Sequence, residues 1–321
     1  MLRFLNRHAH FFDLVLLPLT IAATATMWVV RQVGIERLPR TLAVFRRMGI
    51  FPLRDHYYEP LFNPVSLRHP LRQDRNLPGL DMNVTEQLDL LKKFDYNGEL
   101  VGFPVERRND LEFFYGNDMF GSGDAEYLYN MIRFFKPQRL IEIGSGQSTL
   151  LAAGAVRANQ EDDEGYECRH ICIEPYEAPW LDKLGVEILR ERVESVDQDL
   201  FRQLEENDIL FIDSSHMIRP QGDVLHEYLE ILPILKSGVL VHVHDIFTPK
   251  DYLDDWISKQ VLFWNEQYLL EAFLSFNKEF KVIGALNFLK HRYPEELASC
   301  CPVLREQIDV REPGSFWMQR V

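Results

Sequence analysis

Cysteine is scarce, with four in 321 residues, at positions 168, 172, 300 and 301. They make no disulfide framework and no paired C-x-x-C spacing, which excludes a stapled secreted scaffold and a zinc ribbon and suits a reducing compartment. Basic charge is also short. Lys+Arg number 35 against Asp+Glu 49, for a net charge of −14. A general nucleic-acid binder needs clustered Lys and Arg to neutralise phosphates, so no nucleic-acid partner is expected. Internal repeats and low-complexity tracts are missing. At 46% hydrophobic and 26% charged, the chain is ordinary for a globular protein, which rules out a disordered or collagen-like one. The length fits one large domain, or one domain with an appendage.

What charge there is lies unevenly. Residues 1–54 hold eight Arg against Asp13 and Glu36, a local balance of +6, so the rest of the chain carries −20. Within that basic arm, 14–30 reads LVLLPLTIAATATMWVV and has no formally charged side chain. As a helix it spans about 25 Å, short of a hydrocarbon core of about 30 Å. Pro18 and the run of Thr and Ala weaken it further as a span. Three readings follow: it dips into a membrane interface, spans it, or packs as an apolar helix on the domain or a partner subunit. The short length favours packing. Arg31, Arg37, Arg40, Arg46 and Arg47 come next, which would put that side in the cytoplasm. Ala23-Thr24-Ala25 also has the form of a signal-peptide cleavage site.

Residues 55–115 are rich in proline and aromatics, and read as an irregular segment packed on the core, with a helix only around 84–94. From Asp124 the pattern becomes regular. Helices are expected at 124–135, 148–158, 180–184, 197–204 and 223–235, and strands at 139–143, 170–173, 186–189, 208–212 and 239–243. A helix near 268–276, a strand at 280–285, partial helix over 294–309 and a last strand at 315–320 complete the chain. This alternation predicts an α/β fold with a mainly parallel, doubly wound sheet, which binds ligands beyond the carboxyl ends of its strands.

The first strand runs into Glu142-Ile143-Gly144-Ser145-Gly146-Gln147-Ser148-Thr149. Gly144 and Gly146 permit a tight turn and close approach of backbone to ligand, and Ser148 and Thr149 can cap the helix. Thr149 stands where the third glycine of a dinucleotide fingerprint would be, which argues against NAD. Glu142 would repel a pyrophosphate but can accept from a cationic amine. Glu174, ending the second strand, can accept both hydroxyls of a ribose. A ligand with a ribose and a positive amine is expected, and S-adenosylmethionine has both.

With the turn, Ile173-Glu174-Pro175 and Phe211-Ile212-Asp213-Ser214-Ser215-His216, the stretch 116–287 resembles the class I S-adenosylmethionine-dependent methyltransferases. The resemblance implies a Rossmann-like seven-stranded sheet with an antiparallel last strand. It implies that Glu142, Gly144 and Gly146, with Ser145 and Ser148 in the same turn, and Glu174 surround the cofactor. The turn Glu194-Ser195-Val196 falls where the family contacts adenine, so Ser195 joins the candidates. A cytosolic cofactor of this kind argues against secretion and for a cytoplasmic location, free or at the cytoplasmic face of a membrane.

The fourth strand ends at Asp213, with His216 three residues on, and the fifth ends at Val241-His242-Val243-His244-Asp245. Adjacent strands lie about 4.8 Å apart, so Asp213 and Asp245 can face one crevice if strands four and five are neighbours. Two carboxylates that close repel unless they are protonated or share a cation, and oxygen ligands suit Mg²⁺, Mn²⁺ or Ca²⁺. Here the chain is similar to metal-dependent O-methyltransferases, in some of which a histidine three residues after the first carboxylate is the base. That implies Asp213 and Asp245 as metal ligands, with Asp213 and His216 catalytic. Ile246 departs from the pattern, where a further ligand is usual, which leaves His244 or a site filled mostly by water as alternatives for the third ligand. His242, alternating with valines, reads as a packed strand residue. Arg219, Trp256, Trp264, Asn265, Glu266 and Tyr268 flank the strand ends. They read as an acceptor-facing loop or as packing, with packing favoured for Tyr268. Asn117 and Asp118 could also reach an acceptor.

The domain layout expected is a basic, apolar segment at 1–54, the proline-rich segment at 55–115 and a methyltransferase domain at 116–321. The expected activity is O-methylation of a small-molecule or saccharide hydroxyl with divalent-metal assistance. The rival from another class is a non-catalytic cofactor-binding or scaffold protein of the same fold, tethered through its N-terminus. A weaker one is a hydroxylase-like or NAD-using enzyme. A homo-oligomer is compatible with either class.

Overall fold

The computed structural model describes residues 9–53, 60–176 and 178–321, with the backbone alone at residue 36. The chain divides into two compact units, Met1–Pro70 and Leu71–Val321. The boundary expected at 54/55 lies outside the described residues.

In the first unit, one helix covers Ala9–Val33 and a second Pro39–Met48. The first is 25 residues long, more than the uncharged run, because Ala9–Asp13 and Arg31–Val33 continue it on either side. Pro18 is accommodated inside it, and Val30 is its one buried residue. Leu14, Leu17, Leu19, Ile21 and Trp28 are exposed. The second helix ends in Gly49, whose left-handed backbone (φ 69°) closes it.

The second unit is built on a seven-stranded sheet in the order β3-β2-β1-β4-β5-β7-β6. Its strands are β1 Arg139–Ile143, β2 Arg169–Ile173, β3 Glu187–Leu189, β4 Ile209–Ile212, β5 Leu240–Val243, β6 Phe280–Ala285 and β7 Phe316–Arg320. The pairs among β1 to β5 are parallel, and β7 runs antiparallel to both β5 and β6. The strand order reverses at β1, which pairs with β2 on one side and β4 on the other.

Alternation along the strands creates two cores. Leu140, Ile209, Phe211, Leu240 and Trp317 pack on one face, against Leu128, Met131 and Ile132 of helix Asp124–Phe135 and Leu150, Leu151 and Ala155 of helix Gln147–Asp162. Ile141, Ile143, Ile171, Leu210, Ile212, Val241 and Val243 pack on the other, with Tyr228, Ile231, Leu270 and Leu274. Most of these side chains are completely buried. At about 1.5–3 kcal/mol for each large aliphatic or aromatic side chain, this burial is the main force holding the sheet. It fixes strand register too, since a one-residue slip would exchange the two faces.

The helix expected at 223–235 is not continuous. It begins as α-helix at Asp223–His226, widens to a π-helix at Glu227–Ile231 and tightens to a 3₁₀ turn at Leu232–Ile234. Pro233 has no N–H for a helical hydrogen bond, which breaks the regular ladder. The wide turn carries the buried side chains of Glu227 and Tyr228. The helix expected at 197–204 shortens to Asp199–Arg202.

Candidate active site

The ends of β1, β2 and β4 are stitched together. Asp213 N–H donates to Ile143 O at 2.9 Å, and Gly144 N–H donates to Ile173 O at 3.1 Å. Gly144 has φ +87°, and a Cβ there would stand 2.2 Å from the Asp213 carbonyl oxygen. Only glycine fits, on both conformational and steric grounds. Beyond this junction lies a hollow of about 590 Å³, walled by Gly144, Glu174, Tyr176, Glu194, Asp213 and Ser214 among others. Its size is within the usual range of small-molecule sites.

Glu142 is not in that wall. It is completely buried and accepts from Thr149 Oγ1 at 2.6 Å, while His170 Nε2 lies 3.0 Å from its other oxygen. Thr149 Oγ1 in turn accepts from Gly146 N–H at 3.1 Å. The carboxylate expected to meet the ligand amine therefore braces the glycine turn from beneath. Its position in β1 explains this. It sits on the opposite face from Ile141 and Ile143, across from Cys172 of β2. Glu142, His170 and Cys172 bring three donor atoms within 4.8 Å of one another, but all three residues are buried. Burial pushes the Cys172 thiol well above its ordinary range, chiefly by desolvation and then through Glu142.

Glu174 faces the hollow, with one oxygen accepting from Tyr176 N–H at 2.9 Å. Ser145 and Gly146 form the turn and Ser148 is buried in the first helical turn. Ser195 is exposed in a 3₁₀ turn, and its neighbour Glu194 is the one that lines the hollow.

Asp213, His216 and Asp245 converge, with a donor atom from each within 4.8 Å of the others. His216 Nε2 lies 3.3 Å from Asp213 Oδ1 and 3.4 Å from Asp245 Oδ2. Its Nδ1 is 2.9 Å from Oε2 of Glu266, a completely buried carboxylate that also accepts from Tyr228 Oη at 3.2 Å. The backbone holds the ring from the other side: His216 O accepts from the N–H groups of Asn265 and Glu266. His216 and Asp245 both have φ +59°, a left-handed conformation that non-glycine residues seldom adopt and that must be held by such contacts. Trp264 covers the imidazole, ring centroids 4.4 Å apart.

A second imidazole lies on the far side of the carboxylates. His244 Nδ1 is 3.5 Å from Asp245 Oδ1 and 3.7 Å from Asp213 Oδ1. Burial disfavours charge on both histidines, but the surrounding carboxylates outweigh it and raise both well above the ordinary imidazole range. Reciprocally, burial opposes ionisation of Asp213, yet His244 and His216 hold it well below the usual carboxylate range. Glu227, completely buried and accepting from Ser214 Oγ at 3.1 Å, is pushed up by desolvation and then by repulsion from Glu266 and Asp223.

Asp245 and His244 also line a second hollow of about 290 Å³, with Asp118, Phe247, Trp256 and Arg311. The carboxylate pair thus stands between two cavities, Asp213 in the wall of the larger and Asp245 in that of the smaller. His216 lines neither.

Among the flanking residues, Trp256 packs with Phe247, Tyr252 and Trp264 while reaching the smaller hollow. Tyr268 donates to Asp251 at 3.1 Å, outside both cavities. Asn265 accepts from Ile218 N–H, and Arg219 lines the larger hollow. Asn117 spends its amide on the backbone of Phe114, Met119 and Phe120. His242 stacks on Phe211 at 4.0 Å and meets Ser315 Oγ at 2.9 Å, as a packed strand residue does. The contacts of Thr149 with Glu142 and of Glu266 with His216 are not apparent from sequence. A hydroxyl seven residues after a strand carboxylate, and an acid at a helix start 50 residues beyond a histidine, carry no local pattern.

A family described as "methyltransferase domain" matches residues 141–246, the span from β1 through the end of β5. An uncharacterized protein of Archaeoglobus fulgidus is 30% identical over 179 residues, which cover 51% of this chain and 79% of that one. Among solved structures, the O-methyltransferase TomG of Streptomyces achromogenes, involved in tomaymycin synthesis and in complex with S-adenosylmethionine, is 13% identical. That match covers 70% of this chain and 94% of TomG, with a TM-score of 0.38. An O-methyltransferase of Bacillus cereus is 12% identical, covering 75% of this chain and 91% of that one, with a TM-score of 0.35. The strand order and antiparallel β7 are those of the class I methyltransferase fold, and residues 141–246 match a methyltransferase domain.

Proposed function

We propose that the protein transfers the methyl group of S-adenosylmethionine to a hydroxyl oxygen of a small-molecule or saccharide acceptor, assisted by a divalent cation. The observation that carries this reading is the carboxylate pair between two cavities, Asp213 facing the larger and Asp245 the smaller. The larger hollow suits the cofactor: Gly144 lets the β1 turn approach closely, and Glu174 offers acceptors for ribose hydroxyls. Gly146, Ser145 and Ser148 shape the same turn. Ser195 is assigned through its turn, with Glu194 the wall residue. Trp256 and Phe247 give the smaller hollow flat apolar walls on which a sugar face or ring can rest.

The donor set fits a cation. Asp213, Asp245 and His216 present two carboxylates and an imidazole to one point. A bound divalent ion would lower the pKa of an acceptor hydroxyl and offset the charge of both carboxylates. The residues of the chain orient the acceptor oxygen toward the sulfonium methyl. The C–O bond forms as the C–S bond breaks, the thioether leaves uncharged, and the hydroxyl proton passes to the carboxylate pair that faces the hollows. Alignment across the shared wall supplies much of the acceleration.

The test is calorimetry with S-adenosylmethionine, followed by mass spectrometry for an acceptor gaining one methyl in a lysate supplied with labelled cofactor. Binding together with a chelator-sensitive methylated oxygen product is expected. Absence of binding would return the protein to the scaffold reading, and methylation unaffected by excess chelator would remove the cation. The location that accords with this chemistry is the cytoplasm, with the helix Ala9–Val33 and the arginines after it as a contact to the membrane face.

A further inference from the structure

We infer that His216 is the third protein donor of the cation centre, making it a mixed nitrogen–oxygen site that prefers ions such as Mn²⁺ or Fe²⁺ to Mg²⁺ or Ca²⁺. This rests on the cation-assisted reading above and reassigns the histidine that the Asp213–His216 spacing suggests as a base.

Access comes first. A base must reach the acceptor hydroxyl directly or through one water. His216 is buried, lines neither hollow, and is covered by Trp264. Its free nitrogen points at the oxygens of Asp213 and Asp245, which stand between it and both cavities.

The geometry is that of a ligand. Donors bound to one divalent ion at about 2.1 Å stand roughly 3.0 Å apart when adjacent in an octahedron. The separations of 3.3 and 3.4 Å around Nε2 approach that value. The other ring nitrogen is committed to Glu266, which Tyr228 holds in turn. A metal-bound histidine almost always has such a carboxylate behind it, because the hydrogen bond fixes the tautomer and orients the lone pair. His244 lacks this support. Its Nδ1 is farther from both carboxylates, and its Nε2 is 3.9 Å from Asp124, too long for a hydrogen bond.

The donor set then selects the ion. Oxygen ligands alone suit Mg²⁺ and Ca²⁺, whereas an imidazole shifts preference toward first-row transition ions. Ile246, next to Asp245, is buried in the apolar core and offers no donor, so the imidazole nitrogen is the third protein donor at hand.

The experiment uses the full-length protein and Mn²⁺ alone, read by pulsed electron paramagnetic resonance for nitrogen coupling. Expected is a bound Mn²⁺ with a histidine nitrogen, identified by ¹⁵N-histidine labelling of the wild type. The coupling should persist in His244→Asn and vanish in His216→Ala. Glu266→Gln should weaken Mn²⁺ binding by about 10–100-fold. Among the described residues only His216 and His244 bring a ring nitrogen within 3.7 Å of either carboxylate. If His216→Ala does not fold, His244→Asn decides alone: retained coupling assigns the nitrogen to 216, and lost coupling overturns the proposal. Bound Mn²⁺ without histidine nitrogen overturns it while leaving the cation reading intact. No binding, or binding indifferent to Asp213→Asn and Asp245→Asn, overturns both.

Discussion

His170 Nε2 lies 3.0 Å from Glu142 Oε1 across the β1–β2 pair, and both side chains are buried under the glycine turn. Through Thr149 this pair reaches the N–H of Gly146. Glu142→Ala would leave His170 and Thr149 without their acceptor, at about 1–3 kcal/mol for a buried group left unsatisfied. We expect a lower Tm and weaker cofactor binding, with Glu142→Gln recovering part of each because it keeps an acceptor. Thermal unfolding with and without S-adenosylhomocysteine measures both. Cofactor affinity lost at unchanged Tm would instead mean that Glu142 touches the ligand.

Gly144 and Gly146 should respond differently to alanine. At 144 the added methyl meets the Asp213 carbonyl at 2.2 Å on a backbone with φ +87°. At 146 nothing lies within 4 Å, and φ is −168°, extended backbone open to any residue. Gly144→Ala should cost at least about 1–3 kcal/mol of stability, or distort the turn enough to abolish cofactor binding. Gly146→Ala should fold normally, so a calorimetric loss of cofactor there reads ligand contact alone. Equal behaviour of the two variants would contradict this account of the turn.

Much of this fold was legible because local periodicity and tertiary packing agree. Strands at Arg139–Ile143 and Phe280–Ala285 and the helix Asp124–Phe135 lie where alternation and helical spacing put them. The segment after Asp223 was harder, since Pro233 and the π-helix at Glu227–Ile231 depend on how the backbone satisfies itself near a buried acid. The strand-end positions Asp213 and Asp245 fall together once the strand order that the resemblance implies makes β4 and β5 neighbours, and β4 and β5 do pair. Side-chain direction was less legible. Glu142 looked available as a ligand acceptor, but strand alternation turns it into the face packed by helix Gln147–Asp162. Glu266 is 50 residues from His216, and no sequence spacing encodes a contact made by folding.

Acid should weaken the fold partly through Glu312. Its carboxylate accepts from Arg72, Lys290 and Asn287 and meets His291. Burial opposes its charge, but His291, Lys290 and Asn287 outweigh this and hold its pKa well below the usual carboxylate range. A depressed folded pKa contributes stability that is present above the unfolded value of about 4.3 and is lost as pH falls toward the folded one. Glu312→Gln should therefore be less stable at neutral pH, and its stability should fall less steeply than wild type below about pH 5. Denaturant titrations at a series of pH values give both slopes, and parallel curves would exclude Glu312 as a source of acid sensitivity.

The helix Ala9–Val33 measures about 37 Å at 1.5 Å per residue, enough to cross a hydrocarbon core of about 30 Å. The helix continues past the uncharged run, and its large apolar side chains are exposed among the described residues. Helix Pro39–Met48 follows, with Arg46 and Arg47 in its last turn and Arg40 near its start. Such a pair matches an apolar span followed by a cationic segment at an anionic surface. We expect full-length protein to co-sediment with phosphatidylglycerol vesicles and to resist extraction by alkaline carbonate. Replacing Arg40, Arg46 and Arg47 with Gln should reduce initial vesicle capture, and about 1 M salt should do the same by shortening the screening length to about 3 Å. Removing residues 1–47 should release the protein to the supernatant. Retention after that deletion would place the membrane contact elsewhere, and release by carbonate alone would make the helix a surface anchor instead of a span.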